Sequence, residues 1–367
     1  MSRPVVVTLP ITPRHTPGLG LMLIPLVMDI IRQQMDGTGV LALNVNGSKL
    51  GSVNVEPHVL GYLKVCQQVG IVPNVVWRDD QQENVYWINQ FFKQLTDAGL
   101  IFRAKRAVKR CPCRIVETLA NAENFSDARK LYHWTGNVCL CKICQLPVYE
   151  ESDDVYLFRL PKPKKGFVVT PEFTQGEIAN LASRFTGAEL LISRTRQSAI
   201  PLWVGRERIF LDPDFTWQLY LPILWHCGHR PTVMIGSQKN LFGCYLAMLL
   251  LEILVGDQVN LVIPAYCQTK SPADATIMGR FLEWNRSTVR LFLAAHVAYH
   301  VKDTRFDVSL LRNIQNLSLI LGGQVATSSG ARSLEQSLSR SSARQLRQRL
   351  LEARRSGVID SLILELS

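Results

Sequence analysis

Short runs of consecutive apolar residues alternate with longer apolar segments near the start of the chain. VVVTLPI, at 5–11, is typical of a buried strand, and LMLIPLVMDIIRQQM, at 21–35, is apolar on most faces and predicts an interior helix. A second strand-like run, VLALNV, follows at 40–45. Strand, glycine-rich turn, helix and strand is the usual opening of a parallel α/β sheet. The turn RHTPGLG at 14–20 then falls at the edge of the sheet where nucleotide phosphates are commonly bound.

The same order of elements returns in the second half of the chain. TVMIGSQKNLFGCYLAMLLLEIL, at 232–254, predicts a strand, a turn and a long helix, and VNLVIPAY, at 259–266, predicts another strand. Residues 82–102 carry apolar residues at helical spacing with a Gly99 stop. Residues 103–166 are instead basic and rich in cysteine, and they end in PVYEESDDVYLFRL, which we interpret as a hairpin around an acidic turn. The two halves of one sheet are therefore separated by an inserted module.

Five of the nine cysteines lie in two close groups, Cys111-Pro-Cys113 and Cys139 to Cys144. Two close thiol pairs supply the four tetrahedral ligands that zinc prefers. We therefore predict a zinc ion bound by Cys111, Cys113, Cys141 and Cys144, with Cys139 or His133 as substitute ligands. Four protein ligands leave no open position, so this zinc is structural. Because the first spacer is short, a site that has lost its metal and keeps buried thiols stays open as an alternative.

The predicted fold class is α/β, a Rossmann-like parallel sheet split by a zinc-knuckle insertion and followed by a short helical C-terminal region. The predicted regions are 1–102, the first half of a nucleotide-binding-type core; 103–166, the cysteine-rich insertion; 167–283, the second half of the core; 284–324, a helical region; and 325–367, a Ser/Arg-rich linker with a basic terminal helix.

The net charge and the hydropathy of the chain exclude few classes of binding partner. The net charge of +11 suits a polyanion such as RNA. The basic runs are RAKRAVKRCPCR, RLPKPKK and RQLRQRLLEARR. They contain few aromatic residues, so they indicate contact with phosphates without base stacking, or simply a charged surface exposed to solvent. The apolar run at 241–256 is about one turn short of a membrane span and carries Glu252, so it predicts a buried helix. Four prolines within the first 17 residues argue against a signal peptide and predict a cytoplasmic protein.

Four stretches of the chain resemble a known family in order and spacing. They are WRDDQQENVYWINQFFKQLTDAGLIF, CKICQLPVYEESDDVYLFRLPK, LLISRTRQSAIPL and WNRSTVRLFLAAHVAYHVKDTRFDVSLLRNIQNL. Together they look like the catalytic domain of class I aminoacyl-tRNA synthetases of the methionyl type, over residues 4 to 322. In that family LLISRTR would re-enter the catalytic sheet. The resemblance implies activation of an amino acid by ATP, with tRNA as acceptor and zinc as a structural ion.

The signature motifs of that family are degenerate here. Gly18-Leu19-Gly20-Leu21 stands where the family has His-x-Gly-His, with His15 three residues earlier as the nearest histidine. The family's Lys-Met-Ser-Lys-Ser loop is reduced to Thr269-Lys270-Ser271. Its Asp-Glu-His-Gly segment reads Asn44-Val45-Asn46-Gly47, followed by Ser48 and Lys49. Where the family has a histidine after the position of Phe242, this chain has Gly243. Where the family has Trp and Gly after the Ile-Ser-Arg segment, this chain has Ser198 and Ala199.

The resemblance implies a set of candidate site residues. The catalytic candidates are His15 and Lys270, and the cofactor-binding candidates are Gly18, Gly20, Asn46, Lys49, Gly236 and Lys239. Arg194 either contacts a ligand or pairs with a carboxylate at the sheet edge. Losing two phosphate-contacting histidines and a loop lysine should remove several kcal/mol of transition-state stabilisation.

Three functions follow as hypotheses. The first is a methionyl-type synthetase paralogue that binds an amino acid, an adenine nucleotide or both, with weak or lost tRNA charging. The second is an ATP-dependent ligase that activates an amino acid for a small molecule or carrier in a rebuilt site. The third is a non-catalytic subunit that binds RNA or protein. The sequence does not indicate an oligomeric state.

Overall fold

The structure is a computed structural model that describes residues 3–14, 17, 19–46, 55–114, 116–120, 132–195 and 200–268, and further along the chain 289, 293, 296, 297, 299 and 302–305. The helices are α1 (Leu19–Gln34), α2 (Glu56–Gln68), α3 (Gln82–Asp97), α4 (Glu172–Phe185), α5 (Pro213–Thr216), α6 (Tyr220–His226) and α7 (Leu241–Val255). The strands are β1 (Val5–Thr8), β2 (Thr38–Leu43), β3 (Val75–Arg78), β4 (Ile101–Arg110), β5 (Glu117–Leu119), β6 (Tyr132–Thr135), β7 (Val138–Cys141), β8 (Tyr149–Arg159), β9 (Val169–Thr170), β10 (Glu189–Leu191), β11 (Ser193–Arg194), β12 (Ile200–Val204), β13 (Glu207–Leu211), β14 (Pro231–Ile235), β15 (Asn260–Val262), β16 (Tyr266–Gln268) and β17 (Asp303–Arg305). Short 3₁₀ turns occur at Trp217–Leu219 and Gln238–Asn240.

A six-stranded sheet forms the centre of the molecule, in the order β3-β2-β1-β14-β15-β9. Every pairing in it is parallel. β1 and β14 are adjacent although more than 200 residues separate them, and the chain winds outward from this pair in opposite directions. This confirms the predicted Rossmann-like α/β sheet split by an insertion, because β1 and β2 precede the cysteine-rich module and β14 and β15 follow it.

The sheet is buried on both faces. Val5 and Val7 lie in one hydrophobic cluster with α7, while Val6, between them, lies in a second cluster with α1 and α2. Alternate side chains of β1 therefore point to opposite cores, as the pleat of a strand requires. The segment Gln238–Val255 is apolar and long enough to cross a membrane by length and composition alone. Residues 243–252 of it are nevertheless buried inside the protein, which confirms the predicted buried helix.

The insertion is built on a second, antiparallel sheet with the order β10-β8-β4-β5. β8 is one continuous strand from Tyr149 to Arg159, so the expected hairpin around the acidic residues is wrong. The acidic residues remain extended because they stand opposite basic ones on β4, with Asp153 facing Arg106 and Asp154 facing Lys105. Opposite charges on facing positions stabilise a strand pair.

The segment LLISRTR does not return to the parallel sheet, as the family resemblance would have it. β10 pairs with β8 in the insertion's sheet, and β11 pairs with β13 in a three-stranded antiparallel sheet. β9, two residues long, takes the edge of the parallel sheet beside β15. β9 fills this place because its backbone bonds to β15, from Leu261 N–H to the Val168 carbonyl oxygen and from Ile263 N–H to that of Thr170, at 2.9 and 2.8 Å.

Candidate functional site

Helix α1 follows β1 at the carboxyl edge of the sheet, next to the point where the strand order reverses. The helix begins at Leu19, so Gly20 lies in its first turn and not in a loop. The first turn contains no acidic side chain. The N–H groups of a first helical turn have no partner within the helix and favour anionic ligands. This edge is also where parallel α/β sheets bind ligands.

Gly20 brings this helix against the strand that leads to the predicted lysine loop. A Cβ atom at Gly20 would lie 3.2 Å from the carbonyl oxygen of Cys267, in β16. Residue 20 therefore has no room for a side chain unless β16 moves. β16 pairs in parallel with β17 and ends two residues before Lys270. Four of the candidates lie outside the described residues, namely His15, Gly18, Lys49 and Lys270.

Lys239 contacts the same strand from the other half of the sheet. It lies in the 3₁₀ turn after β14, and its Nζ is 3.7 Å from the centre of the Tyr266 ring. Tyr266 and Cys267 are neighbours in β16, so Gly20 and Lys239 meet consecutive residues of one strand. Two of the cofactor-binding candidates are thereby brought to one edge of the sheet, and one of them supplies a positive charge.

A carboxylate on the α4 side supports this edge. Glu177 accepts a hydrogen bond of 2.7 Å from the Gln238 side chain and forms an ion pair with Lys302. The carbonyl oxygen of Lys302 accepts from the N–H of Tyr266 at 2.8 Å. These contacts tie the turn that carries Lys239, and the strand it touches, to α4.

Packing alone explains Gly236. A Cβ atom there would lie 2.5 Å from the Cδ1 of Ile263 and 2.6 Å from the Sγ of Cys244. Its N–H donates to the carbonyl oxygen of Val262 at 2.9 Å. Any side chain at this position would enter the core between β14, β15 and α7, so the glycine is required whether or not a nucleotide binds.

Asn46 is engaged by a residue that the sequence did not single out, Asp79. The Asn46 side-chain amide donates to the Asp79 carbonyl oxygen at 2.9 Å, and its backbone N–H donates to Asp79 Oδ1 at 3.1 Å. Val45 N–H donates to the same oxygen at 2.6 Å. The Oδ2 of Asp79 is buried without a hydrogen-bond partner, and burial raises the pKa of this carboxyl to about 7. The signal for Asp79 was its place just after β3, at the same sheet edge.

Arg194 is partly buried in an ion-pair network, which is the second of its two expected roles. Its Nε donates to Asp212 Oδ2 at 2.8 Å, and Nη1 donates to the Glu117 carbonyl oxygen. Asp212 also caps α5 by accepting from the N–H of Asp214 at 2.9 Å. The Glu117 carboxylate accepts from Thr195 N–H at 3.1 Å. The guanidinium of Arg194 is thus committed to protein groups.

Gly243, in the first turn of α7, lies beneath an indole ring. A Cβ atom at Gly243 would be 2.9 Å from the Cη2 of Trp217. Trp217 is buried and belongs to the larger core cluster. A side chain at 243 would displace this ring, so packing against Trp217 accounts for the glycine.

The four predicted cysteines converge on one point. The Sγ atoms of Cys111, Cys113, Cys141 and Cys144 all lie within 4.8 Å of one another. The Cys111–Cys113 and Cys113–Cys141 Sγ distances are 3.2 and 3.6 Å. Zinc–sulfur bonds of about 2.3 Å place tetrahedral sulfur atoms about 3.8 Å apart, so the donor set fits a zinc ion. Among the described residues, Cys139 and His133 are not part of this group.

The surroundings of the thiols also suit a metal. Val116 N–H donates to Cys111 Sγ at 3.2 Å, and Ile143 N–H donates to Cys141 Sγ at 3.4 Å. The N–H of Leu146 lowers the pKa of Cys144 to about 7, which favours the thiolate that zinc binds. Among the described residues of the lobe around these thiols, 111–118 and 132–148, the buried apolar side chains are those of Cys111, Val116 and Cys141. The described part of this lobe therefore has almost no core without the thiols.

The basic run on β4 is matched by acidic neighbours. Arg103 lies 3.0 Å from Glu207, Arg106 lies 3.0 Å from Glu189 and Lys109 lies 3.6 Å from Glu150. Arg110 is held by three carboxylates, of Glu117, Glu151 and Asp153. Most of the charges that suggested phosphate contact in RAKRAVKR are therefore paired with carboxylates of the same chain.

Comparison with solved structures finds similar folds at low sequence identity. Mycobacterium tuberculosis methionyl-tRNA synthetase in complex with methionyl-adenylate matches with a TM-score of 0.65 and 12% identity, over 88% of this chain and 70% of that chain. A second structure of that enzyme, also bound by methionyl-adenylate, matches with a TM-score of 0.65 and 12% identity, over 88% of this chain and 71% of that chain. The apo form of the enzyme matches with a TM-score of 0.62 and 13% identity, over 88% of this chain and 67% of that chain. No protein-family model and no curated protein sequence matches the chain. The fold is thus similar to that of methionyl-tRNA synthetase.

Proposed function

We propose that this chain is a methionyl-tRNA-synthetase-like protein that binds an amino acid, an adenine nucleotide or both, and that charges tRNA weakly or not at all. The observation that carries the proposal is the meeting of Gly20 and Lys239 on consecutive residues of β16. It joins the first-turn amides of α1 and a lysine at the sheet edge where such folds bind nucleotides. The similar Mycobacterium structures hold methionyl-adenylate.

In this proposal the site residues bind and orient the ligand but contribute little to the rate of amino-acid activation. The α1 amides and Lys239 attract phosphate oxygens, and Lys270, two residues after the end of β16 in the sequence, adds a further positive charge. Both histidines of the family motif are replaced in Gly18-Leu19-Gly20-Leu21, with His15 as the nearest substitute. Transition-state charge then has fewer donors, and single donors of this kind are worth about 2.7–4 kcal/mol each. Zinc folds the cysteine lobe and takes no part in the chemistry.

Two measurements test the proposal together. Adenine nucleotide or methionine should raise the melting temperature of the purified protein, because a ligand that binds only the folded state stabilises it. Methionine-dependent exchange of pyrophosphate into ATP should be very slow or absent. Fast exchange with any amino acid would favour the alternative, an ATP-dependent ligase that passes the amino acid to a small molecule or carrier.

A non-catalytic subunit is the remaining alternative, and no melting shift with ATP or any amino acid would favour it. The compensated charges of β4 weaken its RNA-binding version at that face. A cytoplasmic location remains part of the proposal, and the burial of α7 in the core agrees with it.

A further inference from the structure

The hairpin formed by β12 and β13 has one buried and one exposed face. Leu202 and Ile209 face inward and belong to the main hydrophobic core. Pro201, Trp203 and Arg208 alternate with them and are exposed. Because the inner face of the hairpin packs on the core, the backbone of the two strands is held in place, and the exposed side chains of the outer face project from it.

The outer face presents aromatic and cationic groups side by side. Trp203 is 66% exposed and stands directly opposite Arg208 across the strand pair. The guanidinium carbon of Arg208 lies 5.3 Å from the centre of the Phe210 ring, within the range of a cation–π contact.

The local charge is positive. In the described part of the chain, neither Arg206 nor Arg208 has a carboxylate within ion-pair distance. The one acidic residue of the hairpin, Glu207, is neutralised by Arg103 at 3.0 Å. The face therefore differs from β4, where Arg103, Arg106, Lys109 and Arg110 each have an acidic partner.

We propose that this face binds the unpaired bases of a single-stranded nucleic acid. One base stacks on the exposed indole of Trp203, and Arg206 and Arg208 contact the neighbouring phosphates. A stacked base needs one aromatic face, whereas a stable protein interface needs about 800 Å² on each partner. This strip of four or five side chains matches the smaller requirement. The inference goes beyond the proposed nucleotide and amino-acid site and does not depend on it.

The sequence carried a signal for this surface. WVGRERIF, at 203–210, interleaves two aromatic residues with two arginines. It was missed because the longer basic runs have the higher charge. Only the alternation of the two strands shows that Trp203 and Arg208 share a face while the neighbouring Leu202 and Ile209 point inward.

Fluorescence anisotropy with a labelled, unstructured RNA of about 10 nucleotides tests the proposal at low salt. Trp203→Ala should weaken binding by about fivefold or more, because stacking of one base is worth roughly 1–3 kcal/mol. Trp203→Phe should retain most of the affinity. Arg208→Gln should lower the slope of log K against log salt by about 0.7. Trp134→Ala is the matched control, since Trp134 is 63% exposed but lies on the hairpin of the cysteine lobe.

Three outcomes would overturn the proposal. They are no binding of the RNA by the wild-type protein at low salt, equal loss in Trp134→Ala and Trp203→Ala, and equal affinity for a duplex of the same length. The first would favour a protein partner for this face. Melting curves of each variant establish that it is folded, and exposed side chains such as Trp203 tolerate substitution with little loss of stability.

Discussion

Gly20 lies against the backbone of Cys267, with space of only 3.2 Å between a Cβ atom at residue 20 and the carbonyl oxygen of residue 267. The contact joins the first helix of the chain to a strand about 250 residues later. It fixes the first-turn amides of α1 relative to the strand that Lys239 also contacts. The candidate site is therefore assembled by the fold from both halves of the split sheet.

Gly20→Ala should gain little stability or lose some. Alanine in a helix is normally about 1 kcal/mol better than glycine, but here its Cβ presses on Cys267. Gly176→Ala is the matched control, because a Cβ at this position of α4 meets nothing within 4 Å. Urea unfolding should show a gain for Gly176→Ala that Gly20→Ala lacks. Equal gains in the two variants would contradict the contact.

Purified protein should contain about one zinc ion per chain, and Cys141→Ser should lose it. The four thiolates would share one ion, so removing one thiol would open the coordination of that ion and remove most of the core of the lobe. Cys139→Ser should keep its zinc, because Cys139 is outside the thiol group. Elemental analysis by mass spectrometry measures both. Less than half a zinc per wild-type chain would contradict a structural zinc site.

Arg194→Met should destabilise the protein by about 3–5 kcal/mol, because it leaves the buried carboxylate of Asp212 without its cation. Arg159→Gln is the control, since the Arg159 side chain is 51% exposed and its ion pair with Glu189 should be worth at most about 1 kcal/mol. Chemical unfolding of both variants gives the comparison. A loss below about 1 kcal/mol for Arg194→Met would show that Arg194 is not the buried partner of Asp212.

Asp79→Asn should make the stability of the folded protein depend less on pH between about 4 and 7. The folded state holds the Asp79 proton up to about pH 7, whereas an unfolded aspartate releases it near pH 4. The folded state binds more protons in this window, so the contribution of Asp79 to stability falls as pH rises, by up to about 1.4 kcal/mol per pH unit. Asparagine keeps an acceptor for the Val45 N–H and has no proton to lose.

Melting temperatures of wild type and Asp79→Asn across this range test the linkage. The difference between the two curves should grow in favour of the variant as pH rises to about 7 and then level off. A difference that stays constant with pH would contradict a raised pKa at Asp79.

Much of the fold could be predicted because its signals are local. Apolar runs such as 5–11 and 40–45 are buried on both faces, and this is the pattern of parallel strands. The cysteine spacing identified the four thiols that converge. The continuity of β8 could not be predicted, because it depends on basic residues of β4 that lie some 40 positions away. The Asp79–Asn46 bonds and the Trp217 ring over Gly243 are likewise contacts between distant segments.

Calorimetric titration with a non-hydrolysable analogue of methionyl-adenylate tests the central claim most directly, because this molecule carries both an adenine nucleotide and an amino acid. We predict binding of one molecule per chain, weakened in Gly20→Ala and Lys239→Ala and unchanged in Gly176→Ala. Absence of binding at the highest soluble concentration, in protein that holds its zinc and melts cooperatively, would contradict the claim that this synthetase-like fold keeps a ligand site.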